Sequence, residues 1–370
     1  MKNPLATLAD LATFGEVIDV RSPAEFADDH IPGAINCPVL DDAERARVGT
    51  LYKQESPFAA RKLGAALVAR NIARHLEERF AERDKHWRPL IYCWRGGQRS
   101  AAMVTVLRAV GWSAFQLEGG YKFYRRSVIE DLAALPKSLH FVSLSGPTGS
   151  GKTRILQALR ARGEQALDLE ALACHKGSVL GGSPVLAQPS QKAFESALVG
   201  ELRSFSPKRP VFVEAESRRI GRLRLTDELL ARMRAAQCIE IDVPLAARVD
   251  FLLSDYANLL ASPDWLKARL SDLRDLHSRE TLEEWQRLVD QQAWPDLVRA
   301  LLVKHYDPLY RRSQQRHQPQ ALPPTSLIAG GLSEDAISSL CNEIVGCSAS
   351  SIGNESCPYT ATQSRPPALA

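Results

Sequence analysis

The chain has 370 residues, 45% of them hydrophobic, and a formal net charge of +4. That is enough apolar content for two or three packed domains, and too little charge by itself to require or exclude a nucleic-acid partner. No apolar run is long enough to cross a bilayer, Asp10 and Glu16 interrupt the stretch where a signal peptide would be continuous, and seven cysteines lie scattered from Cys37 to Cys357 without a CxxC pair, so a cytoplasmic, reducing compartment is expected.

Residues 17–20 read as a short buried strand, 23–26 as a helix start, and Ile31-Pro32-Gly33-Ala34-Ile35 as a turn into a second strand. Between Asp41 and Lys85, the residues Leu63, Ala66, Leu67, Ile72 and Leu76 recur at helical spacing, which predicts a helical insertion over about 41–85. Residues 90–92 form a strand and 93–100 a loop. A helix over 101–110 follows, with Ala102, Val106 and Val110 on one face and Gly111 as its stop. This alternation predicts a parallel sheet covered by helices. After Pro136 a second βα series begins: a strand at 141–144, a glycine-rich loop, a helix over 153–162 stopped by Gly163, strands near 166–169, 211–213 and 239–241, and then helices to about Arg312. Beyond Gln314 the chain is rich in Pro, Ser, Ala and Gly, with one short helix expected around 334–344. The predicted division is a domain over 1–134, a second over 137–313, and a flexible low-complexity tail over 314–370.

Two loops carry the chemistry. In Cys93-Trp94-Arg95-Gly96-Gly97-Gln98-Arg99-Ser100 a helix N-terminus, Arg95 and Arg99 surround a sulfur with positive potential, and Gly96-Gly97 permits a tight cradle for an oxyanion that Cys93 can attack. The second loop, Gly146-Pro147-Thr148-Gly149-Ser150-Gly151-Lys152-Thr153, fits GxxxxGK[ST] without departure: its amides surround phosphates, Lys152 meets their charge, and Thr153 can hold Mg²⁺. Glu214 and Asp168, each at a strand end, are candidates for an acid near that metal and read equally well as solvated carboxylates. Diphosphate is all that this loop needs to recognise. Arg218, Arg219, Arg222 and Arg224 form a basic cluster, followed by Arg232 and Arg234 and later by Arg311, Arg312 and Arg316; each also reads as a solvated face.

These residues carry a family resemblance. Asp19-Val20-Arg21-Ser22-Pro23-Ala24-Glu25-Phe26, His30-Ile31-Pro32-Gly33-Ala34-Ile35-Asn36, Tyr92-Cys93, Arg99-Ser100 and Leu117-Glu118-Gly119-Gly120-Tyr121 resemble, in order, the signature of a rhodanese domain. That resemblance implies that Cys93 carries a chalcogen atom. Arg99 lies six residues after Cys93, one more than in the common single-domain sulfurtransferase loop, and the wider cradle would suit a phosphate-sized anion. It also resembles the Cys-x5-Arg loop of the related phosphatases, which would need a general acid such as Asp19. With the phosphate loop downstream, the chain resembles the tRNA 2-selenouridine synthases over about 19–310. Supporting segments are Val48-Gly49-Thr50-Leu51-Tyr52-Lys53-Gln54, Asp168-Leu169-Glu170 running to His175-Lys176-Gly177-Ser178, Gln188-Pro189-Ser190-Gln191-Lys192, and Glu214-Ala215-Glu216-Ser217-Arg218-Arg219-Ile220-Gly221, with Ala215 where an acidic residue is expected.

The resemblance implies an α/β protein: a rhodanese-like parallel sheet flanked by helices, then a P-loop NTPase-like α/β domain with helical additions. It implies a transferase that replaces sulfur by selenium in the 2-thiouridine at the wobble position of tRNAs for lysine, glutamate and glutamine. Geranyl diphosphate would first alkylate the sulfur, turning it into a better leaving group and C2 into a better electrophile, and selenophosphate would then supply selenium. Cys93 is then catalytic, with Arg95, Gly96, Gly97, Gln98, Arg99 and Ser100 around selenophosphate. Gly146, Pro147, Thr148, Gly149, Ser150, Gly151, Lys152 and Thr153 hold diphosphate; Thr153, Asp168 and Glu214 stand near Mg²⁺; Arg218, Arg219, Arg222 and Arg224 contact tRNA. No tightly bound cofactor and no membrane are expected, and an enzyme producing selenophosphate is the expected supplier. The rival readings are a cysteine-dependent phosphatase or small-molecule kinase, and a non-catalytic rhodanese/P-loop scaffold.

Overall fold

The computed structural model describes residues 4–176, 187–260, 262–317 and 324–352. Gly177 and Ser178, and residues 318–323 and 353–370 of the expected tail, lie outside them. The chain forms two compact units, Met1–Leu132 with Pro189–Gly200, and Ala133–Gln188 with Glu201–Ala370.

In the first unit, β1 (Leu5–Ala6), β2 (Glu16–Asp19), β3 (Ile35–Asn36), β4 (Pro89–Tyr92) and β5 (Phe115–Leu117) make one parallel sheet in the order β1-β5-β4-β2-β3. Every residue of central β4 is buried, as a parallel strand covered on both faces requires. Helices Asp42–Gln54 and Pro57–Glu78 fill the expected insertion, the second capped by the Ser56 side chain, which accepts from Ala59 N–H. That helix buries Ala60, Leu67, Asn71, Ile72 and His75, whereas Ala66 is exposed. Helix Gln98–Val110 ends at Gly111 in the left-handed region, φ +116°. Its buried stripe is Ser100, Met103, Val104 and Leu107, and Val110 is 55% exposed, against expectation. The reason is geometric: an i, i+4, i+8 row drifts round a helix by about 40° per step, while i, i+3, i+4, i+7 keeps to one face.

In the second unit, β6 (His140–Ser145), β7 (Gln165–Leu167), β8 (Pro210–Glu214), β11 (Gln237–Asp242) and β12 (Thr325–Ile328) form a parallel sheet in the order β12-β11-β6-β8-β7. Between β8 and β11 lies an antiparallel ribbon of β9 (Arg219–Ile220) and β10 (Leu223–Arg224). Helices occupy most of the chain from Leu245 to His317. The flexible tail expected from residue 314 is corrected over 325–352. β12 pairs with β11, and helix Glu334–Ile352 buries Ile337, Leu340, Cys341 and Ile344 in the core beside Leu144, Ile155 and Ile239. Averaged composition concealed an i, i+3, i+4, i+7 apolar stripe.

Candidate active site

Both loops leave the C-terminal end of a central strand and open a helix, the place where parallel α/β sheets hold anions. In the first unit β4 delivers Cys93, which is 3% exposed. Its Sγ accepts from Gly97 N–H at 3.2 Å and from the Ser100 hydroxyl at 3.1 Å. The loop carbonyls are held from outside: Tyr121 N–H donates to Cys93 O and Lys122 N–H to Trp94 O, each at 2.9 Å, while Gln116 Nε2 donates to Gly96 O at 2.5 Å and to Gly97 O at 3.2 Å. A trans peptide sets each carbonyl antiparallel to the following N–H. The Gly97 amide, whose preceding carbonyl is held by Gln116, is thereby turned away from that donor and is found on the sulfur. Gly96, φ +62°, and Gly120, φ +58°, make the close approach possible; a Cβ on Gly96 would meet Leu117 O at 2.8 Å, and one on Gly120 would collide with Cys93 O and Gly96 N.

Arg99 is partly buried and donates to Glu25 Oε2 at 3.0 Å. Burial pushes the Glu25 carboxyl up, but the Arg99 guanidinium outweighs it and holds Glu25 below the ordinary range. Asp19 accepts from Arg21 Nε and Nη2 in a fully buried pair, and the Arg21 guanidinium lies 3.8 Å from the Tyr121 ring centroid. Asp19 is therefore locked in the frame and does not fill the place of a general acid. Arg95 and Gln98 are exposed. Trp94 is 38% exposed, its ring 5.3 Å from that of Tyr121. Sequence reasoning missed Gln116, because the three-residue strand that carries it was itself too short to be read.

In the second unit Gly146 has φ +153°, and a Cβ there would meet Ser150 Oγ at 2.6 Å and Ile241 O at 2.7 Å. Gly149 and Gly151 also have positive φ, and Pro147 to Gly151 curl into the turn that opens helix Lys152–Ala161. Lys152 Nζ donates to Gly146 O at 2.9 Å, and the Thr153 hydroxyl donates to Glu170 Oε2 at 3.0 Å. Arg248, buried on helix Leu245–Asp255, braces the loop through Thr148 O at 2.8 Å and is itself held by Asp307 at 2.6 and 3.2 Å. Nothing in the local sequence announced that brace, because it depends on a segment about a hundred residues away.

The acidic set differs from the expected one. Asp168 caps helix Leu169–Ala173, accepting from Ala171 N–H at 2.8 Å, and its charge acts on Glu170 and Glu214 without being one of the three whose oxygens gather most closely. Glu170, Glu214 and Glu216 bring their oxygens within 4.8 Å of one another. Ala215 N–H continues the ladder from β8 to Leu144 O at 2.8 Å, so residues 214 and 216 share one side and Ala215 faces away. Glu216 thus supplies an acid beside the position where Ala215 departs from the family pattern. Burial first, and mutual repulsion second, raise Glu170 to about 7 and Glu214 to about 8, and burial with repulsion from Glu214 raises Glu216 to about 7. Glu214 is 1% exposed and its Oε1 has no partner. Hard oxygen ligands, an orphaned buried carboxylate oxygen and the Thr153 hydroxyl together fit Mg²⁺.

Carboxyls raised this far keep their protons in the folded chain while the unfolded chain, near 4.5, has lost them. Their contribution to stability is therefore complete below about pH 4.5 and is lost as pH rises through about 7 to 8. In EDTA, Glu214→Gln is expected to melt above the unsubstituted protein at about pH 8 and to lose that advantage at about pH 5. Mg²⁺ should raise the melting temperature of the unsubstituted protein and leave the variant nearly unmoved. A variant that melts lower in EDTA at the higher pH would contradict the cluster's electrostatics.

The four arginines lie on or beside the β9–β10 ribbon, all exposed, with Ile220 and Leu223 buried beneath. Arg218 pairs with Asp227 at 2.7 Å, and Arg222 donates from its backbone to Gln188 Oε1 at 2.9 Å and from its side chain to Gln188 O. Gly221, φ +58°, leaves room for the Gln188 amide. Arg219 and Arg224 stand directly opposite in the register.

Comparison with known proteins bears on both units. A family model described as the tRNA 2-selenouridine synthase AAA domain matches residues 139–269, and one for the rhodanese-like domain matches residues 5–127. The chain is 38% identical over 271 residues to the tRNA 2-selenouridine synthase of Nitrosomonas europaea, covering 71% of this chain and 69% of that one. It is 36% identical over 351 residues to that of Bdellovibrio bacteriovorus and 35% over 340 residues to that of Marinobacter nauticus, covering 83% of this chain and 90% of the relative in each case.

Proposed function

Because the chain belongs to the tRNA 2-selenouridine synthase family, and so is a tRNA-modifying enzyme, we propose that it replaces the sulfur of 2-thiouridine at the wobble position of tRNAs for lysine, glutamate and glutamine in two stages. The observation that carries the reading is the division of labour between two anion cradles, of which only the first has a nucleophile hydrogen-bonded into it. In the first stage the thiocarbonyl sulfur attacks C1 of geranyl diphosphate, the C–O bond breaks, and diphosphate leaves onto the amides of residues 146–153 and Lys152. A Mg²⁺ held by Thr153, Glu170, Glu214 and Glu216 would offset the charge of that diphosphate. In the second stage the selenium of selenophosphate adds at C2, the C2–S bond breaks with its pair on sulfur so that the geranyl thiol departs, and water cleaves the Se–P bond to release phosphate. Cys93 and the loop through Ser100 bind selenophosphate for this step.

Arg219 and Arg224, with Arg218 and Arg222 beside them, supply phosphate contacts for tRNA. No helix among the described residues is long and apolar enough to cross a membrane, and we place the protein with its tRNA in the cytoplasm, supplied by a separate selenophosphate-producing enzyme. The phosphatase reading is disfavoured because Asp19 is bound to Arg21 and Glu25 is held ionised by Arg99.

The test is the nucleoside profile of 2-thiouridine-bearing tRNA incubated with the protein, selenophosphate and geranyl diphosphate. Selenouridine should appear, preceded by the S-geranyl nucleoside. Unchanged nucleosides together with turnover of ATP or a phosphoester in the absence of tRNA would overturn the proposal in favour of a kinase or phosphatase.

A further inference from the structure

We propose that the helical insertion of the first unit is an RNA-docking surface, and that it takes the single-stranded anticodon loop of the tRNA substrate. The inference rests on tRNA being the substrate, as read above, and it assigns that substrate a face.

Charge is the first argument. Between Arg45 and Arg74 the chain carries seven arginines and lysines and one acid, Glu55, although its total charge is only +4. Helices Asp42–Gln54 and Pro57–Glu78 gather these residues into one hairpin. All seven cations are exposed, and among the described residues only Arg45 is paired with an acid. A positive face segregated in this way complements a polyanion.

Aromatic exposure is the second. Tyr52, near the end of the first helix, is 57% exposed, and Phe58, at the start of the second, is 63% exposed. Lys62 lies over the Phe58 ring, 5.3 Å from its centroid. Exposed rings set among cations suit unpaired bases, which stack on the rings while the cations follow the backbone; a duplex hides those base faces. A lipid surface would ask instead for a continuous apolar stripe of large side chains. Between Lys62 and Arg74 the outer side of the second helix offers only exposed alanines, at 65, 66, 69 and 73, with Arg70 among them.

Placement is the third. Asp42 Oδ1 accepts from Ala24 N–H at 3.0 Å, and Asn71 Nδ2 donates to Glu44 Oε2 at 2.7 Å and to Val39 O at 3.1 Å, which fixes the root of the hairpin. Arg45 Nε lies 3.7 Å from Glu25 Oε2, the oxygen that also accepts from Arg99 at 3.0 Å, so the root stands beside the cysteine loop. From Arg45 the row continues at i+4 and i+7 through Gly49 to Tyr52, about 10 Å along the helix axis. Gly49 keeps the row open, since a Cβ there would meet Arg45 Nη1 at 3.0 Å. A strand laid along it runs from the aromatic tip toward Cys93. Val48 to Gln54, singled out in the sequence without a role, belongs to that row.

The experiment measures binding of fluorescein-labelled 2-thiouridine-bearing tRNA, and of its isolated anticodon stem-loop, to the full chain over a range of salt concentrations. Tyr52→Ala combined with Phe58→Ala is expected to weaken both ligands by about tenfold or more at unchanged salt dependence, because stacking is lost and no phosphate contact is. Arg70→Gln combined with Arg74→Gln should weaken both and flatten the slope of log K against log salt by about 1.4, the share of two phosphate contacts on a single strand. Lys208→Gln, which removes one charge from an exposed position of the second unit, should move neither quantity. Unaltered tRNA binding in both double variants would overturn the proposal. So would a loss confined to the arginine pair, a loss with tRNA that is absent with the stem-loop, or an equal loss in Lys208→Gln. Failure of the unsubstituted protein to bind tRNA would instead remove the substrate itself, and this inference with it.

Discussion

Replacing Cys93 by alanine is expected to abolish selenation, a loss on the order of a thousandfold or more, and to leave S-geranylated tRNA accumulating in place of product. The substitution removes one buried sulfur from a loop whose shape is set elsewhere: the carbonyls of Cys93, Trp94, Gly96 and Gly97 keep their donors on Tyr121, Lys122 and Gln116. What it strands is the Gly97 amide, which is exposed, while the Ser100 hydroxyl keeps Gly97 O as an acceptor at 3.2 Å, so the cost to folding is about 1 kcal/mol. A chemical role and a structural one are therefore separable. Mass spectrometry of digested tRNA should show the geranylated nucleoside rising while the melting temperature stays close to that of the unsubstituted protein. Normal selenouridine from this variant would end the case for Cys93 as the reacting group.

The frame of both sheets was legible because buried parallel strands are apolar runs bounded by glycine and turn residues, and β4, β6, β8 and β11 all lie where such runs end in a loop or turn. β1 and β5 escaped notice because two or three residues carry no period. Both anion loops could be read from spacing alone, since each is contiguous. The carboxylate cluster could not, because Glu170 comes from a helix and Glu214 and Glu216 from a strand and its extension more than forty residues later. Of its three members only Glu214 was named, alongside Asp168, an aspartate immediately before a helix and so the residue expected to cap it. At the end of the chain the helix expected around 334–344 is present and runs on to Ile352, but its packing into the core went unread because serines and a glycine between its apolar positions lower the average while leaving the buried stripe intact.

Lys152→Ala is expected to strike the other half of the reaction first, lowering geranyl transfer by about a hundred- to a thousandfold, the usual effect of removing one donor aimed at developing negative charge. Lys152 Nζ rests on Gly146 O at 2.9 Å, inside the loop that would receive diphosphate, so the substitution removes a cation without removing a wall. It also removes the cation that pulls Glu170, Glu214 and Glu216 downward, leaving their burial and mutual repulsion less opposed and their protons held more tightly. The variant should therefore bind Mg²⁺ more weakly at neutral pH as well as transfer geranyl more slowly. Supplying tRNA that already carries the S-geranyl group separates the stages: selenation of that substrate depends on Cys93 and its cradle, and should survive in Lys152→Ala within about threefold while failing in Cys93→Ala. If Lys152→Ala transferred geranyl at the unsubstituted rate, diphosphate would have to be held elsewhere. If it failed equally on both substrates, the two cradles would be one coupled machine rather than two successive ones.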